Sequence, residues 1–331
     1  MGLNMDHVVT RGDKKMLHAA NMGLVAIVVL LAGHSLALAQ DALKLAVGAK
    51  GIWDQSISEL AQNAGIFKKH GIVLDIFYTQ GAGETLQAVI SGSADLGIGL
   101  GTLGVMGAYA KGAPIRIIGA TMTGANDTYL YVPADSPIKS LKEADGRTVA
   151  FSTVGSSTHM VVLGLEQQAG VKFKPVAAGS ATATLTQVMS GQLDVGWAAA
   201  PFGVEAIEQG KIRVIARASD VVAYRTQTSR VLAANMTALD RRKDVFIRYM
   251  RAYRDGLDWL YSDPAALAAY AAWAGSSERI ARRLRDEFLP KADIDPSNIS
   301  GLPELMAQAV TFRFMPAPLT DAQLGELIRR Y

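Results

Sequence analysis

Ser152-Thr153-Val154-Gly155-Ser156-Ser157-Thr158 sets five hydroxyl residues around one glycine, just before a segment that reads as a helix start. The first turn of a helix carries N–H groups without intrahelical partners and the positive end of the helix dipole, so hydroxyls placed there suit a carboxylate, a sulfonate or a phosphate. The plainer role is N-capping by Ser156 or Ser157, and the two roles are compatible. Arg230 can neutralise such an anion through charge-assisted hydrogen bonds, or serve as an ordinary ion-pair partner. Trp53 can stack on a ligand or cover a core, while Trp197, Trp259 and Trp273 lie within predicted elements and read as core residues. His159, next to the hydroxyl loop, reads as a solvated or packed histidine, and Arg241-Arg242-Lys243 as a solvated helix face.

Other chemistries lack their residues. The chain has no cysteine, and beyond residue 39 its only histidines are His70 and His159. Thiol catalysis, disulfides and His/Cys metal sites are thereby excluded, and a Ser/His/Asp triad would have to use one of two histidines, neither of which stands in a G-x-S-x-G elbow. Gly99-Leu100-Gly101-Thr102-Leu103-Gly104 satisfies G-x-G-x-x-G between a predicted strand and a predicted helix. No acidic residue follows about twenty positions later to take a ribose hydroxyl, so no nucleotide cofactor is expected, nor any other cofactor.

The elements that must position these residues come in two copies. Thr85 to Gly97 (TLQAVISGSADLG) recurs as Thr184 to Gly196 (TLTQVMSGQLDVG), and Gly71-Ile72 matches Gly170-Val171 at the same spacing. Ile115-Arg116-Ile117-Ile118 matches Ile212-Arg213-Val214-Ile215. Each copy reads as strand, turn, amphipathic helix ending at Ser-Gly, then a short apolar strand. Alternating strands and helices predict parallel sheets, and two copies are too few for a solenoid, so they are expected to be the cores of two α/β lobes. Leu43 to Gly48 and Ile72 to Tyr78 are predicted strands and Asp54 to Phe67 a predicted helix. Tyr129 to Val132 and Ser229 to Asn235 are predicted to carry the chain out of lobe one and back, and Arg241 to Tyr331 is predicted helical throughout. Ligands of open α/β sheets bind where strands end and helices begin, which selects Trp53, Gln80, Gly81, Thr102 and Thr123 from lobe one, Thr153, Ser156, Ser157, Thr158, Ser180 and Pro201 from lobe two, and Arg230 on the return crossing.

Length and the first residues set the remaining bounds. A chain of 331 residues, half hydrophobic and 19% charged, suits about two domains. Arg11, Lys14 and Lys15 precede an apolar core from Met22 to Ala32, and Ala37-Leu38-Ala39 stands before Gln40, the pattern of a secretory signal peptide over residues 1–39. With no cysteine at the cleavage site a lipoprotein is not expected. Its removal takes three basic and two acidic residues and leaves a net charge of +2 from +3, giving no electrostatic case for nucleic acid.

The mature start LKLAVG, AGIFKKHGI at Ala64 to Ile72, S-G-x-x-D-[LV]-G in both lobes and KGAPIRII at Lys111 to Ile118 resemble the nitrate/sulfonate/taurine and thiamine-precursor group of ABC-importer solute-binding proteins. The resemblance implies a type II periplasmic-binding-protein fold: an α/β chain of two βα lobes joined by a two-crossing hinge, plus a helical C-terminal segment. The expected parts are lobe one over 40–127, lobe two over 128–229, and a return strand with helices of lobe one over 230–331. It further implies a monomeric, non-enzymatic periplasmic protein that closes on a small-molecule ligand and delivers it to a membrane permease with a cytoplasmic ATPase. A periplasmic sensor that hands its closed form to a receptor is the alternative, followed by an enzyme on the same fold. Two enzymes known to share this fold depend on cysteines that are absent here.

Overall fold

Buried and exposed positions alternate from Ala42 to Leu45 along β1 (Asp41–Val47) and from Ile72 to Asp75 along β2 (Ile72–Tyr78), which pair in parallel from Asp41 opposite Ile72 to Val47 opposite Tyr78. The computed structural model describes Met1 and Gln40–Tyr331, so the expected signal peptide lies outside the described residues. Between these strands run α1 (Trp53–Asn63) and the single turn α2 (Ile66–Lys69). One continuous helix was expected there. Gly65 at φ 77° separates the two, a left-handed conformation that ends a helix cleanly only at glycine. The chain continues through α3 (Ala82–Ser91), β3 (Leu96–Gly101), α4 (Thr102–Ala110) and β4 (Ile115–Thr123).

The crossing strand β5 (Thr128–Pro133) then opens the second lobe, followed by β6 (Thr148–Phe151), α5 (Ser157–Ala169), β7 (Lys174–Ala177), α6 (Ala181–Met189), β8 (Gly196–Ala199), α7 (Val204–Glu208) and β9 (Ile212–Arg217). The return strand β10 (Thr228–Asn235) re-enters the first lobe, whose sheet runs β2-β1-β3-β10-β4. The second lobe pairs β8-β5-β9 and β6-β7, and a single parallel bridge from Val149 to Val195 joins the two sets in the order β7-β6-β8-β5-β9. The two lobes therefore have one topology, each completed by an antiparallel strand that the chain inserts on its way from the other: β10 between β3 and β4, β5 between β8 and β9.

The repeated S-G-x-x-D-[LV]-G segment does the same structural work twice. Gly92 and Gly191 close their helices at φ 78° and 74°. Three residues on, the aspartate turns back to the neighbouring first strand: Asp95 accepts the Lys44 N–H at 2.8 Å, and Asp194 accepts the Thr148 N–H at 2.9 Å and its hydroxyl at 2.7 Å.

The C-terminal region is helical in pieces rather than throughout: α8 (Met236–Arg241), α9 (Lys243–Ser262), α10 (Pro264–Ala274), α11 (Glu278–Arg283), α12 (Leu302–Thr311) and α13 (Asp321–Leu327). A π-helical turn at Leu284–Phe288, prolines at 290 and 296 and the left-handed Gly301 interrupt the pattern. Along α9, Phe246, Tyr249, Met250, Tyr253 and Leu257 share one buried face, from which Tyr249 bonds the Ser58 hydroxyl of α1 at 2.8 Å and packs 5.4 Å from the Phe67 ring of α2. The end of the chain bridges Ile328 to Ile117 on β4, which covers that edge of the sheet.

Candidate functional site

Where the lobes meet, strand ends and helix starts of both border a small, half-open cavity of about 40 Å3. The first lobe contributes Gly48 and Ala49 after β1, Ile52 and Gln55 at the start of α1, Gly81 and Ala82 at the start of α3, and Gly99 on β3. The second contributes Ser152 after β6, Ser156, Ser157 and Thr158 at the start of α5, Ser180 before α6, and Trp197 and Ala199 on β8. Arg230 enters from the return strand β10. None of these bordering residues is a carboxylate.

The second lobe's helix starts are tied by hydroxyls. Ser156 accepts the His159 N–H at 3.1 Å and bonds the Thr158 hydroxyl at 2.9 Å, while Thr158 in turn accepts the Ser152 N–H at 2.9 Å. Ser180 accepts the Ala183 N–H at 3.2 Å. In the first lobe α3 begins at Gly81, at φ 135° and without any side-chain cap, because a Cβ there would press to 2.7 Å from the Ser152 hydroxyl oxygen. Gln55 points back toward the start of α1, and its amide oxygen accepts the Ala49 N–H at 2.9 Å.

A buried ion triad ties the two crossings behind the cavity. Arg230 Nη2 donates to Asp127, just ahead of β5, at 2.7 Å, and Arg230 Nε stands 3.3 Å from Asp54 on α1. Burial pushes the Asp54 carboxyl up to about 6, with Arg230 pulling it down and Asp127 adding to the rise. The charge of Arg230 is thus already shared between two carboxylates before any ligand is considered.

The G-x-G-x-x-G segment acquires a packing explanation. A Cβ on Gly101 or Gly104 would collide with the backbone of Gly155, so these glycines let the second lobe's hydroxyl loop approach the first lobe closely. Beside them the Gly83 N–H donates to the Thr153 hydroxyl at 2.9 Å across the joint. On the outer side Glu208 of α7 pairs with Arg279 at 2.7 Å and with Arg283 at 3.3 Å, both on α11.

The family model described as NMT1/THI5 like matches residues 58–267. The chain belongs to the NMT1/THI5-like family. A putative aliphatic sulfonates-binding protein of Escherichia coli (strain K12) is 31% identical over 140 residues, which is 42% of this chain and 43% of that protein's length. The alkanesulfonate-binding protein SsuA from Xanthomonas axonopodis pv. citri bound to MOPS superposes with a TM-score of 0.71 at 18% identity, covering 88% of this chain and 98% of that one. The periplasmic nitrate-binding protein NrtA from Synechocystis PCC 6803 does so with a TM-score of 0.68 at 13% identity, covering 88% and 86%. These superpositions establish the fold as that of periplasmic binding proteins, in agreement with the resemblance carried by the motifs.

In this NMT1/THI5-like chain the cavity gathers Gly81, Ser156, Ser157, Thr158, Ser180 and Arg230 from the residues selected by sequence. The other six lie elsewhere. Trp53 is fully buried in the first lobe's core, 4.3 Å from the Tyr270 ring of α10 and 5.9 Å from the Tyr261 ring of α9. The Thr102 hydroxyl donates to the Thr228 carbonyl at 2.6 Å, and that of Thr123 to the Asn298 carbonyl at 2.6 Å, so both are spent on backbone within the first lobe. Thr153 serves the clasp across the joint; Gln80 is exposed, with its N–H donating to Glu84 at 2.9 Å; Pro201 borders a separate surface groove with Glu205 and Arg279. His159 stacks on Phe151 at 4.2 Å, and burial lowers its pKa, in keeping with a packed histidine.

Gln55 and Trp197 were missed as cavity residues, and Ser152, though part of the hydroxyl loop read from sequence, was not among the selected residues. Gln55 had a readable signal, since helix side chains lean toward the N-terminus and one a turn inside can reach the strand end. Trp197 had one too: it follows the repeated motif's last glycine, near the end of a strand, where its counterpart in the first copy is Ile98.

Proposed function

We propose that this chain is the exported solute-binding component of an ABC importer, taking a small anionic solute between its lobes and handing it to a membrane permease. The observation that carries the reading is the composition of the cavity between the lobes: hydroxyls, four helix starts and a guanidinium border it, and among the described residues that do so none is acidic. The relatives support it by name, one for aliphatic sulfonates and one for nitrate, both acceptor-only anions. Binding rather than catalysis fits the histidines, since His70 pairs with Asp255 at 2.7 Å and His159 is packed between Phe151 and Phe314. The proposed parts are a cleaved leader over residues 1–39, lobe one over 40–127 and 230–331, and lobe two over 128–229, acting as a monomer.

Calorimetric titration of the protein beginning at Gln40 against nitrate, methanesulfonate, acetate and larger sulfonates tests the reading. Replacing both Ser156 and Ser157 by Ala should weaken the tightest of these by about 1.5–3 kcal/mol and lower stability by about 1 kcal/mol through the lost cap. Wild-type affinity in a destabilised double variant would make the loop a helix cap only, and no binding by the wild type would reject the anion.

A further inference from the structure

Asp54 and Asp127 are fully buried and share one cation, Arg230, so the point where the two crossings meet holds one more acid than base. The two carboxylates are not held alike. Asp127 accepts Arg230 Nη2 at 2.7 Å and the Thr128 hydroxyl at 3.1 Å, whereas neither oxygen of Asp54 accepts a hydrogen bond and Arg230 Nε stands 3.3 Å from it. A buried carboxylate without donors is the one that most readily gives up its charge, and at Asp54 burial outweighs the opposing pull of Arg230, with Asp127 adding to the rise. The other titratable groups that face Asp54 are Tyr253 and Tyr261 of α9 and Tyr270 of α10, all kept neutral by burial. Arg230 also borders the cavity between the lobes, as does Gln55, the residue after Asp54. Charge placed in that cavity therefore acts on Asp54 through the guanidinium without touching it. An anion there draws on the one cation that keeps Asp54 ionised and adds negative charge nearby, and both effects favour the protonated carboxyl.

We propose that Asp54 is a positioning residue that makes ligand capture proton-coupled: an anion entering the cavity loads a proton from solvent onto Asp54, and the protonated joint in turn holds the anion more tightly. The proposal rests on the solute-binding reading above and adds its regulation by pH. Asp54 makes no bond to the ligand. Without the proton, two buried carboxylates and a ligand anion would compete for a single guanidinium; the proton removes one of the three negative charges.

Calorimetric titration of the protein beginning at Gln40 with methanesulfonate and with nitrate, neither of which titrates near neutral pH, tests it. Affinity for whichever anion binds should rise at least about fivefold from about pH 8 to about pH 5. Titration of wild type in buffers of different ionisation enthalpy should show net proton uptake on binding, a count that does not depend on any variant folding. Asp54→Asn, which fixes the neutral state, should bind with an affinity near the wild type's acid limit at every pH and take up no proton, with cooperative thermal unfolding as the check on its fold. His159→Gln, at the packed histidine beside the hydroxyl loop, should keep the wild-type pH dependence and proton uptake. Wild-type affinity that does not change with pH, binding without proton uptake, a pH dependence that survives in folded Asp54→Asn, or one that His159→Gln abolishes overturns the inference and leaves the anion reading standing. No binding by the wild type at any pH overturns both.

Discussion

The two lobes share a topology and a repeated motif, yet they bring different things to the joint. The first is a continuous ladder whose β4 and β10 run nine and eight residues, backed by the aromatic face of α9. The second is assembled from four-residue strands β6, β7 and β8, with one bridge joining its two strand sets. At equivalent helix starts the first lobe places Gly81, bare of any cap, and the second places Ser180 with its hydroxyl cap. The first lobe's glycines give way so that the second lobe's backbone can come close, and the second lobe supplies the hydroxyls. The two copies of one scaffold thus bring different groups to the joint, and the difference resides in single residues at strand ends.

The largest effect should come from breaking the point where both crossings meet. Arg230→Met leaves Asp54 and Asp127 buried without their cation and is expected to cost about 3–5 kcal/mol in urea unfolding, whereas adding Asp54→Asn and Asp127→Asn should restore much of it. A single variant of near wild-type stability would show that the triad does not hold the crossings.

Asp54 sharpens the same joint by pH. Its carboxyl rises from 3.8 to about 6 on folding, so the folded state holds that proton more tightly than the unfolded chain does. The resulting stabilisation is fully present below pH 3.8 and is lost as pH rises through about 6. A shift of this size amounts to roughly 3 kcal/mol at most. Asp54→Asn should therefore flatten the stability profile across that window, read from urea midpoints at a series of pH values. Parallel profiles for variant and wild type would refute the assignment.

The repeated aspartates compare the lobes most directly and with the smallest effect. Asp194 accepts both an amide and a hydroxyl from Thr148. Burial raises its pKa, but those bonds and the nearby Arg147 and Lys174 outweigh burial and hold the carboxyl below the ordinary range. Asp95 accepts the single Lys44 amide. Asp194→Ala should cost about 1–3 kcal/mol and Asp95→Ala about 1 kcal/mol, measured by urea unfolding of each single variant. The reverse order would mean that the longer ladder of the first lobe depends on its aspartate more than the short strands of the second do.

Sequence by itself determined the two-lobe plan, because a duplicated strand-turn-helix segment with glycines at helix ends admits few arrangements, and both crossing strands were visible as apolar runs, one between the copies and one after the second. It also placed the hydroxyl loop at the joint, since strand-end positions of α/β sheets follow from the order of elements. The roles of Trp53, Thr102 and Thr123 were decided by tertiary structure alone. Strand ends in one lobe look alike in sequence, and whether a side chain turns toward the cavity or into its own core depends on packing from segments far along the chain, such as α10 against Trp53 and Asn298, 175 residues away, against Thr123. The same holds for Arg230 and Trp197. Nothing local to β10 shows that Asp54 and Asp127 will share its arginine, and nothing local to β8 shows that the Trp197 N–H will have no acceptor, because partners and their absence are properties of the assembled joint rather than of the strand.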